Sequence, residues 1–234
     1  MIFDYTYLLF VLPAIIFAMI ASAKVNSAFN KYSKQMSARG ITGREAAERV
    51  LRANGVVGIK IERVSGNLTD HYDPKTNVIR LSDNVYDSTS TAAIGVAAHE
   101  AGHAVQHEQE YAPAKIRMAI VPVTNIGSKL SIPLILLGII LSLFASERFL
   151  IISYIGIACF TLCAVFQLVT LPTEYDASHR AIAALESGGI LDDEEIKGAK
   201  KVLSAAALTY VAALAVTLMQ LLRLLVIVGR YRRD

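Results

Sequence analysis

Long apolar blocks alternate with a single polar stretch along this 234-residue chain. A helix needs about 20 apolar residues to cross a hydrocarbon core of about 30 Å, so the length of each block tests whether it spans a membrane. Four blocks reach or approach this length, and the sequence therefore predicts about four transmembrane helices. The blocks cover residues 5–23, residues 131–145 with an extension back to 116, residues 149–171 and residues 202–222.

These blocks divide the chain into five segments. Residues 1–23 are predicted to be an N-terminal transmembrane anchor, because no basic stretch precedes the apolar block as it does in a removable signal. Only Ser146-Glu147-Arg148 separates the second block from the third, which predicts a hairpin. The other segments are a polar portion at 24–115, the transmembrane hairpin at 116–171, a further helix at 172–201, and a C-terminal transmembrane helix with a basic tail at 202–234.

Basic residues near the block ends predict the orientation of the chain in the membrane. Five of them follow the first block closely, so the polar portion is predicted to be cytoplasmic in a multi-pass protein of the plasma membrane. They are Lys24, Lys31, Lys34, Arg39 and Arg44. With four spans the basic tail at 230–233 then lies outside, although basic residues favour the cytoplasmic side. The larger number of basic residues after the first block decides the prediction.

The polar portion carries local signals for a mixed α and β structure. Polar capping residues and 3.6-residue periodicity indicate helices, whereas alternation of apolar and polar residues indicates strands. The predicted elements are a helix at 43–52 capped by Thr42 and closed by Asn54-Gly55, a strand at 58–64, a turn at Asp73-Pro74, a strand at 77–82, and a long helix at 92–109 capped by Ser88 or Ser90.

Composition supports the membrane prediction and excludes other classes of protein. Apolar residues make up 54% of the chain and its mean hydropathy is +0.45, which is too apolar for an ordinary water-soluble domain. The formal charge of +3 is small and dispersed, so no nucleic acid partner is expected. Cys159 and Cys163 both lie inside an apolar block and indicate nothing about the redox compartment.

An H-E-x-x-H motif lies in the middle of the long helix predicted in the polar portion. Its two histidines, His99 and His103, are one helical turn apart, so both imidazoles can approach one Zn²⁺ from the same face. Glu100 lies beside them and is placed to act as general base on a water that the metal activates. The motif therefore predicts a zinc site with a catalytic carboxylate rather than a chance pattern on an amphipathic helix.

The residues alone leave the third zinc ligand open. His107 continues the row of histidines, but it lies eight residues after His99, about 12 Å along a helix axis, and one ion cannot reach both. Glu174 and Asp176 form the tightest acidic cluster. If Pro172 ends the third block and a new helix starts there, both residues lie at the beginning of that helix. Glu174 is then either a ligand or a charge that complements the helix dipole.

Two stretches of the sequence resemble a known family. The stretch HEAGHAVQ at 99–106 and the stretch LPTEYDAS at 171–178 resemble the YugP-like family of neutral zinc metallopeptidases, and the resemblance covers nearly the whole chain. More distantly, the chain is similar to the HtpX and CAAX prenyl protease group. These membrane gluzincins place spans between H-E-x-x-H and a glutamate ligand within an E-x-x-A-D motif. Glu174 and Ala177 match that motif, whereas Ser178 replaces its final aspartate.

The resemblance implies roles for further residues around the metal. Glu174 takes the position of the third zinc ligand. Ser178 or Asp176 takes the place of the aspartate that contacts a zinc histidine. An edge strand beside the metal, able to bind an extended peptide, is implied for Val78, Ile79, Arg80 and Leu81. The candidates for stabilising the oxyanion are His71, Tyr175 and His179.

The predicted fold is an α-helical integral membrane protein with about four transmembrane helices and a small α+β, zincin-like catalytic portion. The predicted function is that of a zinc endopeptidase at the cytoplasmic face of the bilayer. It would cleave peptide or protein substrates, membrane proteins among them, in membrane-protein quality control. One alternative is a site-2-type intramembrane protease, which the short apolar run at 92–98 disfavours. Another is a non-enzymatic scaffold or chaperone-like protein with a structural zinc, which would not need Glu100.

Overall fold

The computed structural model describes residues 5–232; Asp4 in the predicted anchor and Arg233 in the basic tail lie outside the described residues. The described chain is mainly helical and contains one three-stranded sheet. Its helices are α1 (Leu12–Tyr32), which a π-helix at Tyr7–Val11 precedes, α2 (Gly43–Ala53), α3 (Asp83–Tyr86), α4 (Thr91–Glu108), α5 (Ala112–Phe144), α6 (Leu150–Ser187), which a 3-10 turn at Glu147–Phe149 precedes, and α7 (Asp193–Gly229). Its strands are β1 (Lys60–Val64), β2 (His71–Asp73) and β3 (Val78–Ser82).

Four of the described helices are long and apolar enough to cross a membrane, which confirms the predicted number of candidate spans. They are Tyr7–Tyr32, Ala112–Phe144, Glu147–Ser187 and Asp193–Gly229. Each is longer than the apolar block that predicted it, because the residues flanking the block continue the same helix. The architecture therefore fits a multi-pass membrane protein with a small mixed portion.

The helix break predicted at Pro172 is wrong, because α6 continues through Pro172 without interruption. A proline inside a helix has no N–H to donate, which removes one backbone hydrogen bond and costs about 3 kcal/mol. The three apolar residues Ala177, Ala181 and Leu185 beyond it are completely buried. Burial of this face stabilises the helix beyond Pro172, since most helical stability in proteins comes from tertiary packing.

The acidic run at 192–195 lies at the start of α7, the same helix that contains the fourth apolar block. Asp192 Oδ1 accepts the backbone N–H of Glu194 at 3.0 Å and of Glu195 at 2.8 Å, which caps the first turn. Glu195 is buried and also accepts the N–H of Ala38 at 2.6 Å. These acidic side chains therefore hold the end of α7 as well as complementing the helix dipole.

The chain divides into two compact units, and the first is largely apolar. The apolar unit comprises Met1–Ile20, Ile116–Thr170 and Tyr210–Asp234. Within it, a Cβ atom at Gly138 of α5 would lie 2.3 Å from the Ser153 hydroxyl of α6, and that hydroxyl donates to a carbonyl of α5 at 2.8 Å. The two helices of the hairpin therefore pack with almost no side-chain volume between them.

The mixed unit comprises Ala21–Lys115 and Leu171–Thr209 and contains the sheet. The strand order is β1-β3-β2, with β1 parallel and β2 antiparallel to β3. β3 is therefore the central strand, and the prediction of an edge strand there is wrong for Val78, Ile79, Arg80 and Leu81. The short strand β2 pairs along the second side of β3, and its three residues are too few to show an alternating pattern.

The core of the mixed unit draws on residues from before and after the hairpin. Val50 and Ile94 lie on one side of the hairpin in sequence, Leu185 and Ile190 lie on the other, and all four are buried in one cluster. Neither of these two parts of the sequence therefore completes this core alone.

α2 begins at the predicted cap, where Thr42 and Glu45 form a reciprocal capping box with hydrogen bonds of 2.8 and 3.2 Å.

Candidate metal centre

α4 carries the H-E-x-x-H motif in its middle, and its boundaries agree with the predicted helix to within one residue. Of the two predicted caps, Ser90 is the N-cap, and its hydroxyl accepts the N–H of Ala93 at 3.3 Å. Most residues of this helix are buried, and many are alanines. Small side chains allow neighbouring helices to approach the motif closely.

Three ligand atoms from α4 and α6 lie together at this point and are called the His-His-Glu group below. His99 Nε2 and His103 Nε2 are 3.1 Å apart, and Glu174 Oε2 lies 3.3 Å from the first and 3.4 Å from the second. A tetrahedral zinc ion with bonds of about 2.0–2.1 Å holds its ligands about 3.3 Å apart, so the donor set fits that ion. Glu174 is only 2% exposed. The group could thus hold a metal ion and leave a fourth coordination position open.

Gly102 sets the distance between the two helices that carry these ligands. A Cβ atom built on Gly102 would lie 2.5 Å from the carbonyl oxygen of Ala177, a separation that real Cβ contacts essentially never show. A residue with a side chain would therefore force α4 and α6 apart. The absence of a side chain at this position of the motif is what brings Glu174 within reach of both histidines.

Each imidazole of the His-His-Glu group is contacted from behind through its Nδ1 atom. His99 Nδ1 lies 3.1 Å from the Ser178 hydroxyl, where the resemblance implies a side-chain contact. His103 Nδ1 lies 3.0 Å from the Gln106 amide, and that amide also donates to the Asp176 carboxylate at 2.8 Å. Asp176 therefore reaches His103 through Gln106. The only sequence signal for this role of Gln106 is its spacing of three residues from His103, which places both side chains on one helix face.

Glu100 lies on α4 beside the group and is bound by the neighbouring strand. It is 9% exposed, and its Oε2 accepts the backbone N–H of Tyr72 at 3.0 Å. This N–H points away from β3. Because the N–H and the C=O of one residue in an antiparallel strand point to the same side, the Tyr72 carbonyl also points to the edge of β2 that does not pair with β3. The sheet therefore fixes one carboxylate oxygen of Glu100.

A second carboxylate, Asp70, lies near Glu100 and just before β2. Ser82 at the end of β3 donates to it twice, from its N–H at 2.7 Å and from its hydroxyl at 3.0 Å. Burial raises the pKa of Asp70, the two hydrogen bonds from Ser82 oppose this, and the negative charge of Glu100 raises the pKa further. Asp70 thus fastens the start of β2 to β3 and supports the strand that binds Glu100.

His107 is not a member of the His-His-Glu group. Its Nδ1 lies 3.3 Å from the oxygen of the Tyr72 hydroxyl, and that hydroxyl donates its one hydrogen to Asn77 Oδ1 at 2.7 Å. Burial raises the pKa of Tyr72 to about 12, with smaller contributions from nearby carboxylates, so this hydroxyl stays protonated at neutral pH. His107 therefore packs against the sheet from the last turns of α4.

The three oxyanion candidates have different surroundings. His71 begins β2, directly before the residue whose N–H binds Glu100, and its Nδ1 lies 2.8 Å from the Thr69 carbonyl oxygen. Tyr175 is 51% exposed on α6. His179 is also exposed on α6 and lines a groove together with residues of α2 and its C-cap. Of the three, His71 has the closest connection to Glu100.

Comparison with known proteins agrees with this geometry. The family model described as "Putative neutral zinc metallopeptidase" matches residues 7–229. The chain is 46% identical over 207 residues to "Putative membrane protease YugP" of Bacillus subtilis (strain 168), a match that covers 88% of this chain and 89% of that protein. No solved structure matches this chain. The region matched by the family model includes both helices that supply the His-His-Glu group.

Proposed function

Because this chain belongs to the zinc metallopeptidase family whose model spans residues 7–229, we propose that it is a membrane-anchored zinc endopeptidase. The family resemblance inferred from the sequence is confirmed by this match. The observation that carries the proposal is the His-His-Glu group beside the buried Glu100. Three protein ligands with an open fourth position are typical of catalytic zinc sites, whereas structural sites use four.

His99, His103 and Glu174 would hold the ion, which when bound lowers the pKa of a water to about 7 and polarises the scissile carbonyl. Glu100 acts as general base, accepting a proton from the attacking water and then donating it to the leaving amine. The Tyr72 N–H holds one oxygen of this carboxylate, so that the other faces the reacting atoms. The residues behind the histidines keep the imidazoles in orientation.

An extended segment of the substrate is proposed to add to the free edge of β2 rather than to β3. The Tyr72 carbonyl lies on the same edge as the N–H that binds Glu100, so it can accept an N–H from a substrate backbone close to the general base. His71 is the favoured oxyanion stabiliser of the three candidates, because it precedes Tyr72 on this strand. Membrane proteins are the proposed substrates, and quality control is the proposed role.

Both alternatives are disfavoured by particular observations. A site-2-type protease needs the H-E-x-x-H motif inside a membrane span, but α4 is not among the four described helices that could cross a membrane. A structural zinc in a scaffold protein has no use for a buried carboxylate beside the metal, and yet Glu100 is held there by the backbone of β2.

Metal removal tests the proposal directly. The purified full-length protein in detergent is expected to contain one zinc per chain and to cleave an unfolded test protein such as casein. A chelator should stop cleavage, and added zinc should restore it, because the water that attacks the peptide bond is activated only when the ion is bound. Metal analysis and gel assays of cleavage measure both. Cleavage that resists the chelator would contradict the proposal, and stoichiometric zinc without any cleavage would favour the scaffold.

The proposed location is the plasma membrane, with the metal centre at the cytoplasmic face. The support is the cluster of lysines and arginines that follows the first apolar block at 5–23. Four spans then put the turn at Glu147-Arg148 on the outer side. The exposed residues Val57 and Arg148 lie in the mixed unit and in that turn, and they give one reporter position for each side.

Single cysteines at these two positions are expected to label differently in a background without Cys159 and Cys163. In intact cells a membrane-impermeant maleimide should label Arg148→Cys and leave Val57→Cys unlabelled, because the bilayer separates the reagent from the cytoplasm. Permeabilised cells provide the control, since both variants should then be labelled. Labelling of Val57→Cys in intact cells would reverse the proposed orientation.

A further inference from the structure

Gln106 is a buried amide that contacts both helices of the His-His-Glu group. It lies on α4 one turn after His103, and its side chain is completely buried. Its Oε1 lies 3.0 Å from His103 Nδ1. Its Nε2 lies 2.8 Å from the Thr173 carbonyl oxygen and 2.8 Å from Asp176 Oδ2, both on α6. One side chain thus joins the turn that carries a histidine ligand to the turn that carries the glutamate.

The orientation of this amide follows from its partners. A backbone carbonyl can only accept a hydrogen bond, so the Gln106 atom that faces Thr173 must be the Nε2 donor. The other atom is then the acceptor Oε1, and it requires a hydrogen on His103 Nδ1. A neutral imidazole with its hydrogen on Nδ1 presents the lone pair of Nε2, which lies toward His99 and Glu174. Gln106 thereby selects the tautomer that can bind a metal through Nε2.

The acceptor that Gln106 needs on α6 is itself held in place. Asp176 Oδ2 also accepts Nε of Arg180 at 2.5 Å. The same guanidinium donates to Gln109 at the C-cap of α4 and lies over the Tyr111 ring, 5.6 Å from its centre. Arg180 therefore holds the Asp176 carboxylate in position for the Gln106 amide. The hydrogen bonds run from α4 to α6 and back to the C-cap of α4.

We propose that Gln106 is a positioning residue of the zinc site, which holds His103 in the metal-binding tautomer and fastens the turn of α6 that carries Glu174. This inference rests on the proposed zinc function. Thr173 directly precedes Glu174, so the bond from Gln106 to its carbonyl fixes the backbone next to the third ligand. Without the amide, all three proposed ligands remain present, but the acceptor that selects the tautomer of His103 is lost.

Zinc affinity of the full-length protein in detergent tests the inference, measured by competition with a chromophoric chelator. Gln106→Met has a similar volume and no hydrogen bonds, and it is expected to weaken zinc binding by about 10–100-fold, as loss of a contact behind a ligand does. Glu108→Met is the matched control on the same helix, since Glu108 is exposed and lies outside the network that joins Gln106, Asp176 and Arg180. Its zinc affinity should stay close to that of the unmodified protein.

A pair of substitutions at Asp176 gives a second test, which decides alone if Gln106→Met does not fold. Asp176→Ala removes the acceptor of Gln106 and should weaken zinc binding, but it should cause no further loss in the Gln106→Met background. Asp176→Asn keeps an oxygen at that place and should bind zinc almost as tightly as the unmodified protein. Equal affinities of the two Asp176 variants would overturn the inference.

The failure of the inference and the failure of the proposed function are distinguishable. If the unmodified protein binds zinc and folded Gln106→Met binds it equally tightly, Gln106 has only a packing role and the inference alone fails. If the unmodified protein binds no zinc, the proposed function fails together with the inference.

Discussion

Glu100→Gln is expected to abolish proteolysis while leaving zinc binding and the fold intact. The substitution removes the proposed general base but none of the three proposed ligands, and general acid–base catalysis contributes about 10²–10⁴-fold to a rate. The glutamine keeps an oxygen that can accept the Tyr72 N–H, so the contact between α4 and β2 survives. Turnover of the test protein should therefore fall by at least about 100-fold at full zinc occupancy.

Glu108→Gln is the matched control for this experiment, because it makes the same chemical change on the same helix at an exposed position. Its turnover and zinc content should equal those of the unmodified protein. If Glu100→Gln kept turnover within tenfold of normal at full zinc occupancy, another group would have to serve as the base. The role proposed for Glu100 would then be wrong.

Glu174→Ala is expected to remove zinc and activity together. Glu174 is the only carboxylate among the described residues that lies with both histidines in one candidate metal group. Loss of a ligand should weaken zinc binding by more than the roughly 10–100-fold that loss of a contact behind a ligand costs. Metal analysis after dialysis and competition with a chelator both measure this, and no cleavage of the test protein should remain.

His107→Ala provides the comparison for Glu174→Ala, since it removes a histidine of the same helix that lies outside the His-His-Glu group. Zinc content and turnover should both be unchanged. Full zinc occupancy in Glu174→Ala, combined with its loss in Asp176→Ala, would show that the third ligand lies two residues later. The face of α6 presented to the metal would then differ from the one described.

The parts of the fold that the sequence predicts well are those with a single strong cause. Long apolar runs predict the four candidate spans, because few sequences without charge can remain outside a membrane or a core. The H-E-x-x-H motif predicts the His-Glu-His arrangement on α4, because residues four apart share one helix face. Thr42 and Ser90 predict helix starts because their hydroxyls satisfy N–H groups that the helix leaves unpaired.

The features that the sequence does not reveal depend on contacts between distant segments. Pro172 reads locally as a helix end, and only the burial of the residues that follow it keeps α6 continuous. The strand β2 has three residues, and its pairing with β3 turns an expected edge into a centre. Gln106 reads as an ordinary polar residue of α4 until its partners on α6, 67 and 70 residues later, are placed beside it.

The position of the hairpin between the two halves of the metal centre determines when the site can form during synthesis. His103 and Glu174 are 71 residues apart in the sequence. At about 5–20 residues per second, the ribosome needs roughly 4–14 s to translate this interval. Until then the nascent chain carries the proposed general base and two of the proposed ligands, but neither the proposed third ligand nor the core residues of α6. A new molecule can therefore complete the proposed metal site only after its own apolar hairpin has been made.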